Sequence, residues 1–238
     1  MDKKYFYEDK YWQWNELSPH LEKQFPPEYT HSGRIARALT MAEGRKILDL
    51  GCSLGHYSYR LASEGHQVVG VDVDENCVEI ARKIHQHPEL SFAHTDGRVL
   101  EFDDGSFDCV LLLEVLEHTF NPRGLIAEIH RVLKPGGCLI VSVPNASSYH
   151  TLARTLLLNI KSYYRKMESW PAFTVDQRDH YFYWEPFTLY RLLNVQGFQY
   201  VDHAFRDNFR FFEILGRVLP PLQKISTCYI IKVRKTGQ

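Results

Sequence analysis

No stretch of this chain is apolar for long enough to span a bilayer as a helix. Met1-Asp2-Lys3-Lys4 leads into aromatic and charged residues rather than an apolar run, so no secretory signal is expected and a cytoplasmic location is the default. Charge of one sign is also missing. With 28 basic against 29 acidic residues the net charge is −1, and no polybasic block breaks the balance, which argues against broad non-specific nucleic-acid binding. The five cysteines (Cys52, Cys77, Cys109, Cys138 and Cys228) lack paired or metal-type spacing, so they read as small core residues of a reducing compartment. There is no internal repeat, no low-complexity tract, and nothing that marks an oligomer interface.

At 238 residues the chain is long enough for one α/β core with insertions. Strand patterns at Lys46–Leu50, Gln67–Asp72, Leu90–His94, Phe107–Leu113 and Gly137–Val143 alternate with helical periodicity at Tyr57–Glu64, Glu75–His85 and Arg123–Leu133. Pro135-Gly136-Gly137 punctuates the last helix-to-strand turn. Such alternation predicts an α/β, Rossmann-like fold with a mostly parallel sheet and helices on both faces. Around this core (residues 45–143) lie an aromatic N-terminal cap (1–43, helical over Ser32–Met41), an excursion (145–185) and a C-terminal part (186–238). The last part reads as a helix over Pro186–Gln196 and strands over Phe198–Phe205 and Thr227–Val233, all within one domain.

The densest signal is Ile47-Leu48-Asp49-Leu50-Gly51-Cys52-Ser53-Leu54-Gly55-His56, an apolar strand that ends in an acid and turns through small residues into a helix. In an α/β protein that arrangement builds a nucleotide pocket at the carboxyl end of a strand. Gly51 and Gly55 let backbone approach a ligand closely. A second strand ends in Asp72 about twenty residues later, where a ribose hydroxyl pair would sit. Asp74 is the better candidate for the N-cap of the following helix. The spacing Gly-x-Gly-x-x-Gly of nicotinamide-binding folds is absent.

The segment resembles the first motif of class I S-adenosylmethionine-dependent methyltransferases, acid-x-Gly-x-Gly-x-Gly, with Ser53 in place of the middle glycine. The resemblance implies a seven-stranded sheet whose last strand is antiparallel, and S-adenosyl-L-methionine as cofactor. It assigns Asp72, with Val73 beside it, to the ribose hydroxyls and Asp96-Gly97 to the adenine amino group, an ordinary Asp-Gly turn being the plainer reading of the latter pair. Asp49 and the backbone of Gly51, Cys52, Ser53 and Gly55 would face the methionine end, Leu113 would also touch the cofactor, and Arg34 would pair with the cofactor carboxylate.

Strand four runs into Leu113-Glu114-Val115-Leu116-Glu117-His118. Two carboxylates and an imidazole at a pocket lip suit a hard divalent ion such as magnesium or manganese. Glu114 and Glu117 share a face only if the chain turns helical at Glu114. The Glu-x-x-Glu-His run resembles that of ubiquinone-biosynthesis O-methyltransferases and of small-RNA 3′-terminal 2′-O-methyltransferases, in which a later histidine completes a metal site; His180 is the matching position. Other methyltransferases with this run imply no metal, and there His118 acts as general base or as a wall residue. Imidazole suits the first role because it titrates near neutrality.

Tyr149–Lys166 reads as an amphipathic helix on the core, and Trp170, Phe173 and Tyr181–Trp184 as an aromatic lid. The expected function is O-methylation of a hydroxyl on a small molecule or sugar. The alternatives are metal-dependent 2′-O-methylation of an RNA 3′ end, and an inactive cofactor-binding or regulatory subunit.

Overall fold

The computed structural model describes residues 34–157, 181–206 and 220–237. Within them the chain forms α1 (Arg34–Leu39), β1 (Lys46–Leu50), α2 (His56–Ser63), β2 (Gln67–Asp72), α3 (Glu75–Ile84), β3 (Leu90–His94) and β4 (Phe107–Leu113). A 3₁₀ turn (Leu116–His118), α4 (Pro122–Val132), β5 (Leu133–Pro144) and α5 (Tyr149–Leu157) follow. After the excursion come α6 (Pro186–Val195), β6 (Phe198–Arg206), a second 3₁₀ segment (Pro220–Ile225) and β7 (Cys228–Lys235).

All seven strands join one sheet in the order β3-β2-β1-β4-β5-β7-β6. The first five run parallel, and β7 lies antiparallel between β5 and β6. Alternation along each strand divides the core between the two faces. Leu48, Leu50, Val110 and Leu112 pack with α4 and α6 through Leu125, Ile126, Ile129, Leu189 and Leu193. Ile47, Cys109, Leu111 and Leu113 pack with α1 and α2 through Ala38, Leu39, Leu61 and Ala62. Because both faces are covered, the central strands read as nearly continuous apolar runs.

Helix starts follow local chemistry. Asp74 accepts from the amides of Asn76 and Cys77 at 2.9 and 3.2 Å, as its position predicts. Asn121 accepts from the Gly124 amide at 3.0 Å with Pro122 opening α4. The fifth strand begins four residues before the expected Gly137. Leu133 pairs with Phe107, and a register shift between Phe107 and Cys109 lets Lys134-Pro135-Gly136 pass as an irregularity within the strand.

Strand order reverses beside β1, whose neighbours are β2 and β4. Successive connections leave on opposite sides there, so a crevice opens above the carboxyl ends of these strands. The first expected motif sits at that crevice, and the second sits one strand further along.

Candidate active site

Beyond Leu50 the chain cannot continue as a strand. The amides of Gly51 and Cys52 both donate to the Val71 carbonyl of β2, at 2.8 and 3.0 Å, and the Gly55 amide closes the loop on the Cys52 carbonyl at 2.9 Å. Three of five residues take left-handed backbone: Gly51 (φ 82), Ser53 (φ 49) and Gly55 (φ 75). Glycine is required twice over, since a Cβ at Gly51 would lie 2.3 Å from Val115 Cγ2 and one at Gly55 would lie 2.4 Å from the Phe92 ring. Ser53, where the motif has glycine, is held in its strained conformation by donating its amide to Asp72 Oδ2 at 2.7 Å.

Asp72 is half-buried at the end of β2. Its Oδ1 accepts the Asp74 amide at 2.9 Å while Oδ2 holds Ser53, so the carboxylate is aimed by backbone and keeps further lone pairs for a ligand. Burial raises its pKa and the nearby Asp74 charge adds to this; the backbone hydrogen bonds oppose it. Asp49 is 2% exposed, and the Ser58 hydroxyl donates to its Oδ2 at 2.5 Å. Burial pushes its pKa up to about 6, against the Ser58 hydrogen bond and with help from the Asp72 charge. Burial, together with these two carboxylates, also raises the Cys52 thiol, which remains a neutral packing group.

Asp96 lies exposed beyond β3 and folds back on itself: Oδ1 accepts the amides of Arg98 and Val99 at 2.8 and 3.4 Å. That is the Asx turn of the plainer reading. A Cβ at Gly97 would come within 3.1 Å of Val73 Cγ1, so Asp96-Gly97 and Asp72-Val73 flank one surface. Arg34 opens α1, but its side chain, His180 and the cap residues before Arg34 lie outside the described residues.

Glu114 departs from the expected helical turn. It takes left-handed backbone at φ 58, its amide donates to the Ser142 carbonyl at 3.0 Å, and its Oε1 accepts from Ser142 Oγ at 2.8 Å and Cys228 Sγ at 3.7 Å. The 3₁₀ turn begins only at Leu116, so Glu114 and Glu117 do not share a helical face. Glu117 is buried at 1% exposure with Oε1 4.0 Å from His118 Nε2, and the His118 side chain is 38% exposed at the lip. Among the described residues no group of three histidines, cysteines, aspartates or glutamates is gathered around a common centre. The described part of the expected set, Glu114, Glu117 and His118, therefore does not fit a shared ion as it stands.

The end of the excursion is tied to this lip. The amides of Tyr181 and Phe182 donate to the Glu117 carbonyl at 2.8 and 3.3 Å, and the Tyr181 ring lies 4.1 Å from that of Phe120. Tyr181, Phe182 and Tyr183 are exposed, as lid residues would be. Trp184 is not one of them: it is buried in the core beside Leu189, with its carbonyl accepting the Ala146 amide at 2.8 Å. Trp170 and Phe173 lie outside the described residues.

Sequence reasoning missed Ser58, Val115, Ser142 and Cys228. Only Ser58 carries a signal, as a polar residue at the i position of the buried i, i+3, i+4 stripe it forms with Leu61 and Ala62.

Residues 48–141 match the model of a methyltransferase domain family. Over 106 residues the chain is 38% identical to a demethylmenaquinone methyltransferase of Clavibacter sepedonicus, covering 44% of this chain and 43% of that protein. Over 114 residues it is 35% identical to a ubiquinone biosynthesis O-methyltransferase of Alkalilimnicola ehrlichii, covering 47% and 46%. The chain thus spans less than half the length of these two curated relatives. The crystal structure of an S-adenosylmethionine-dependent methyltransferase from Archaeoglobus fulgidus superposes with a TM-score of 0.64 at 19% identity, over 90% of this chain and 98% of that one, and so shares the fold. The strand order and the glycine loop agree with this match: residues 48–141 carry a methyltransferase domain, set in the fold shared with S-adenosylmethionine-dependent methyltransferases.

Proposed function

We propose that this protein transfers a methyl group from S-adenosylmethionine to a hydroxyl oxygen of a small molecule or sugar. The observation that carries the reading is the interlock of Val115 with Gly51. It sets the glycine loop, where the cofactor would lie, directly against the turn that presents His118.

The residues fit the cofactor. The cradle at Gly51 and Gly55 admits no side chain, Asp72 is aimed by two amides to meet a pair of hydroxyls in charge-assisted bonds, and Asp49 supplies a buried carboxylate for an ammonium. When bound, S-adenosylmethionine supplies an electrophilic methyl group on a sulfonium sulfur. With that methyl group in reach, His118 would accept the proton of the acceptor hydroxyl as the oxygen takes up the methyl. Glu117, with Oε1 4.0 Å from His118 Nε2, helps to hold the imidazole at the lip. Phe120 and Tyr181 flank the same lip and can exclude water from the acceptor. Displacement in line makes positioning a large part of the rate, and the 3₁₀ turn provides it. The name of the ubiquinone-biosynthesis relative supports oxygen as the methyl acceptor.

The test pairs binding with turnover. His118→Ala should bind S-adenosylhomocysteine with wild-type affinity by calorimetry, while methylation of a panel of phenols, catechols and hexoses falls by about 10²–10⁴-fold. Unchanged turnover would remove His118 from the chemistry, and wild-type protein that fails to bind S-adenosylhomocysteine would remove the reading as a whole.

A further inference from the structure

Ser58 is a fully buried hydroxyl on α2, at a helix position whose period calls for an apolar side chain. Space has been left for it on the facing strand. A Cβ at Gly70 would lie 2.9 Å from Ser58 Oγ and 2.7 Å from the Phe92 ring, so any larger residue there would crowd the hydroxyl. The hydroxyl donates to Asp49 Oδ2 at 2.5 Å, whereas Asp49 Oδ1 accepts no hydrogen bond from any described residue. One oxygen of this carboxylate, at the end of the strand that leads into the glycine loop, is thus engaged by Ser58, and the other is left for a ligand to meet.

The groups around Asp49 sharpen the point. Asp72 faces it from β2 and Cys52 from the loop, with Cys77 of α3 beyond Cys52; its register partner on β4 is the apolar Leu111. None of these is a cation. Ser58 is therefore the group that favours the ionised form, against burial and the Asp72 charge.

We propose that Ser58 is a positioning residue of the cofactor site, whose hydroxyl fixes Asp49 as an oriented anion so that Oδ1 receives the ammonium group of the cofactor's methionine end. The inference rests on the reading that the chain binds S-adenosylmethionine. Burial holds the Asp49 pKa at about 6 even with the hydroxyl in place. Without it the ionisation midpoint moves toward neutrality, and at pH 7 part of the protein presents a neutral acid that attracts no ammonium.

The experiment is calorimetric titration of the full chain with S-adenosylhomocysteine, which carries the same ammonium, between pH 5.5 and 8.5. Wild-type affinity should be flat above pH 7 and decline below pH 6. Ser58→Ala, by moving the midpoint about one unit (the worth of one hydrogen bond to a charged group), should weaken binding about twofold at pH 7 and about five- to tenfold between pH 6 and 5.5, and should match the wild type by pH 8.5. Ser58→Thr, which keeps the donor, should follow the wild-type profile. In an Asp49→Asn background, removing the Ser58 hydroxyl should cost nothing further, because the group it acts through is no longer ionisable. Should the alanine variant not fold, Ser58→Cys, a weaker donor, gives the same displacement on a smaller scale. A loss of equal size at every pH, an unshifted profile, or full additivity in the double variant would overturn the proposal while leaving the cofactor reading intact. Absence of binding by the wild type would overturn both.

Discussion

Asp49 should make the ligand-free protein less stable as the solution becomes less acidic, and Asp49→Asn should cancel that effect. Below about pH 3 the carboxyl is protonated in the folded and unfolded chain alike and contributes no difference. As pH rises from about 3 to 6 the unfolded chain releases the proton while the folded chain keeps it, because burial holds the folded pKa at about 6 against an ordinary 3.8. Above pH 6 the folded chain also ionises, and the whole cost of a buried carboxylate stands. The displacement corresponds to about 3 kcal/mol, of which about 2 kcal/mol accrues between pH 4.5 and 7.5. Asparagine preserves the shape and can still accept from Ser58, so Asp49→Asn should match the wild type near about pH 3 and exceed it increasingly toward pH 7.5, where its midpoint should lie roughly 5–10 °C higher. Thermal or urea melts of both proteins across that range measure the difference. Saturating S-adenosylhomocysteine should narrow the gap at pH 7.5, since the ligand's ammonium stabilises the anion and not the amide. A difference independent of pH, or a wild type that is the more stable at pH 7.5, would refute the assignment of a buried, ligand-awaiting anion.

Gly51→Ala places a methyl 2.3 Å from Val115 Cγ2 at a φ of 82, and should destabilise the fold by about 2–4 kcal/mol in urea melts. Adding Val115→Ala should recover the packing part and leave the backbone part. Asp72→Ala removes the carboxylate proposed to meet two ribose hydroxyls as well as the anchor of the Ser53 amide, so S-adenosylhomocysteine affinity should fall by about 100-fold or more; an unchanged Kd would sink the ribose assignment. Because Glu114, Glu117 and His118 do not converge, turnover should persist after dialysis against EDTA, and a loss reversed by manganese would show that the lip rearranges around an ion.

The sheet could be read from the sequence because its signals are local. Each parallel strand is an uninterrupted apolar run between turn residues, and each helix has its period and its cap. The glycine loop was readable for the same reason, since Asp49, Gly51, Gly55 and Asp72 occupy the ends of two such strands. What escaped depends on neighbours distant in the chain. The start of β5 is a matter of Leu133 finding Phe107, and residues 134–137 give no sign of it because proline and glycine also make turns. Trp184 looks like its exposed neighbours Tyr181 to Tyr183, and only the packing against α6 separates it from them. Glu114 reads as the first ligand of a helical turn, because nothing about glutamate announces left-handed backbone.

That residue is where the two halves of the site are joined. Left-handed glutamate costs about 1–2 kcal/mol and persists only if its surroundings over-determine it. Here they do: a backbone bond to Ser142, and a carboxylate oxygen accepting from Ser142 on β5 and from Cys228 on β7. The reversal at Glu114 carries Val115 over Gly51 and releases the chain into the turn that ends in His118, whose amide donates to the Val115 carbonyl at 3.0 Å. Were Glu114 helical, Val115 would leave the loop, and the proposed base would be uncoupled from the cradle. The strain therefore fixes one distance that methyl transfer depends on, between the lip that would hold the acceptor and the loop that would hold the donor, and it does so through three strands of the sheet rather than through any single contact.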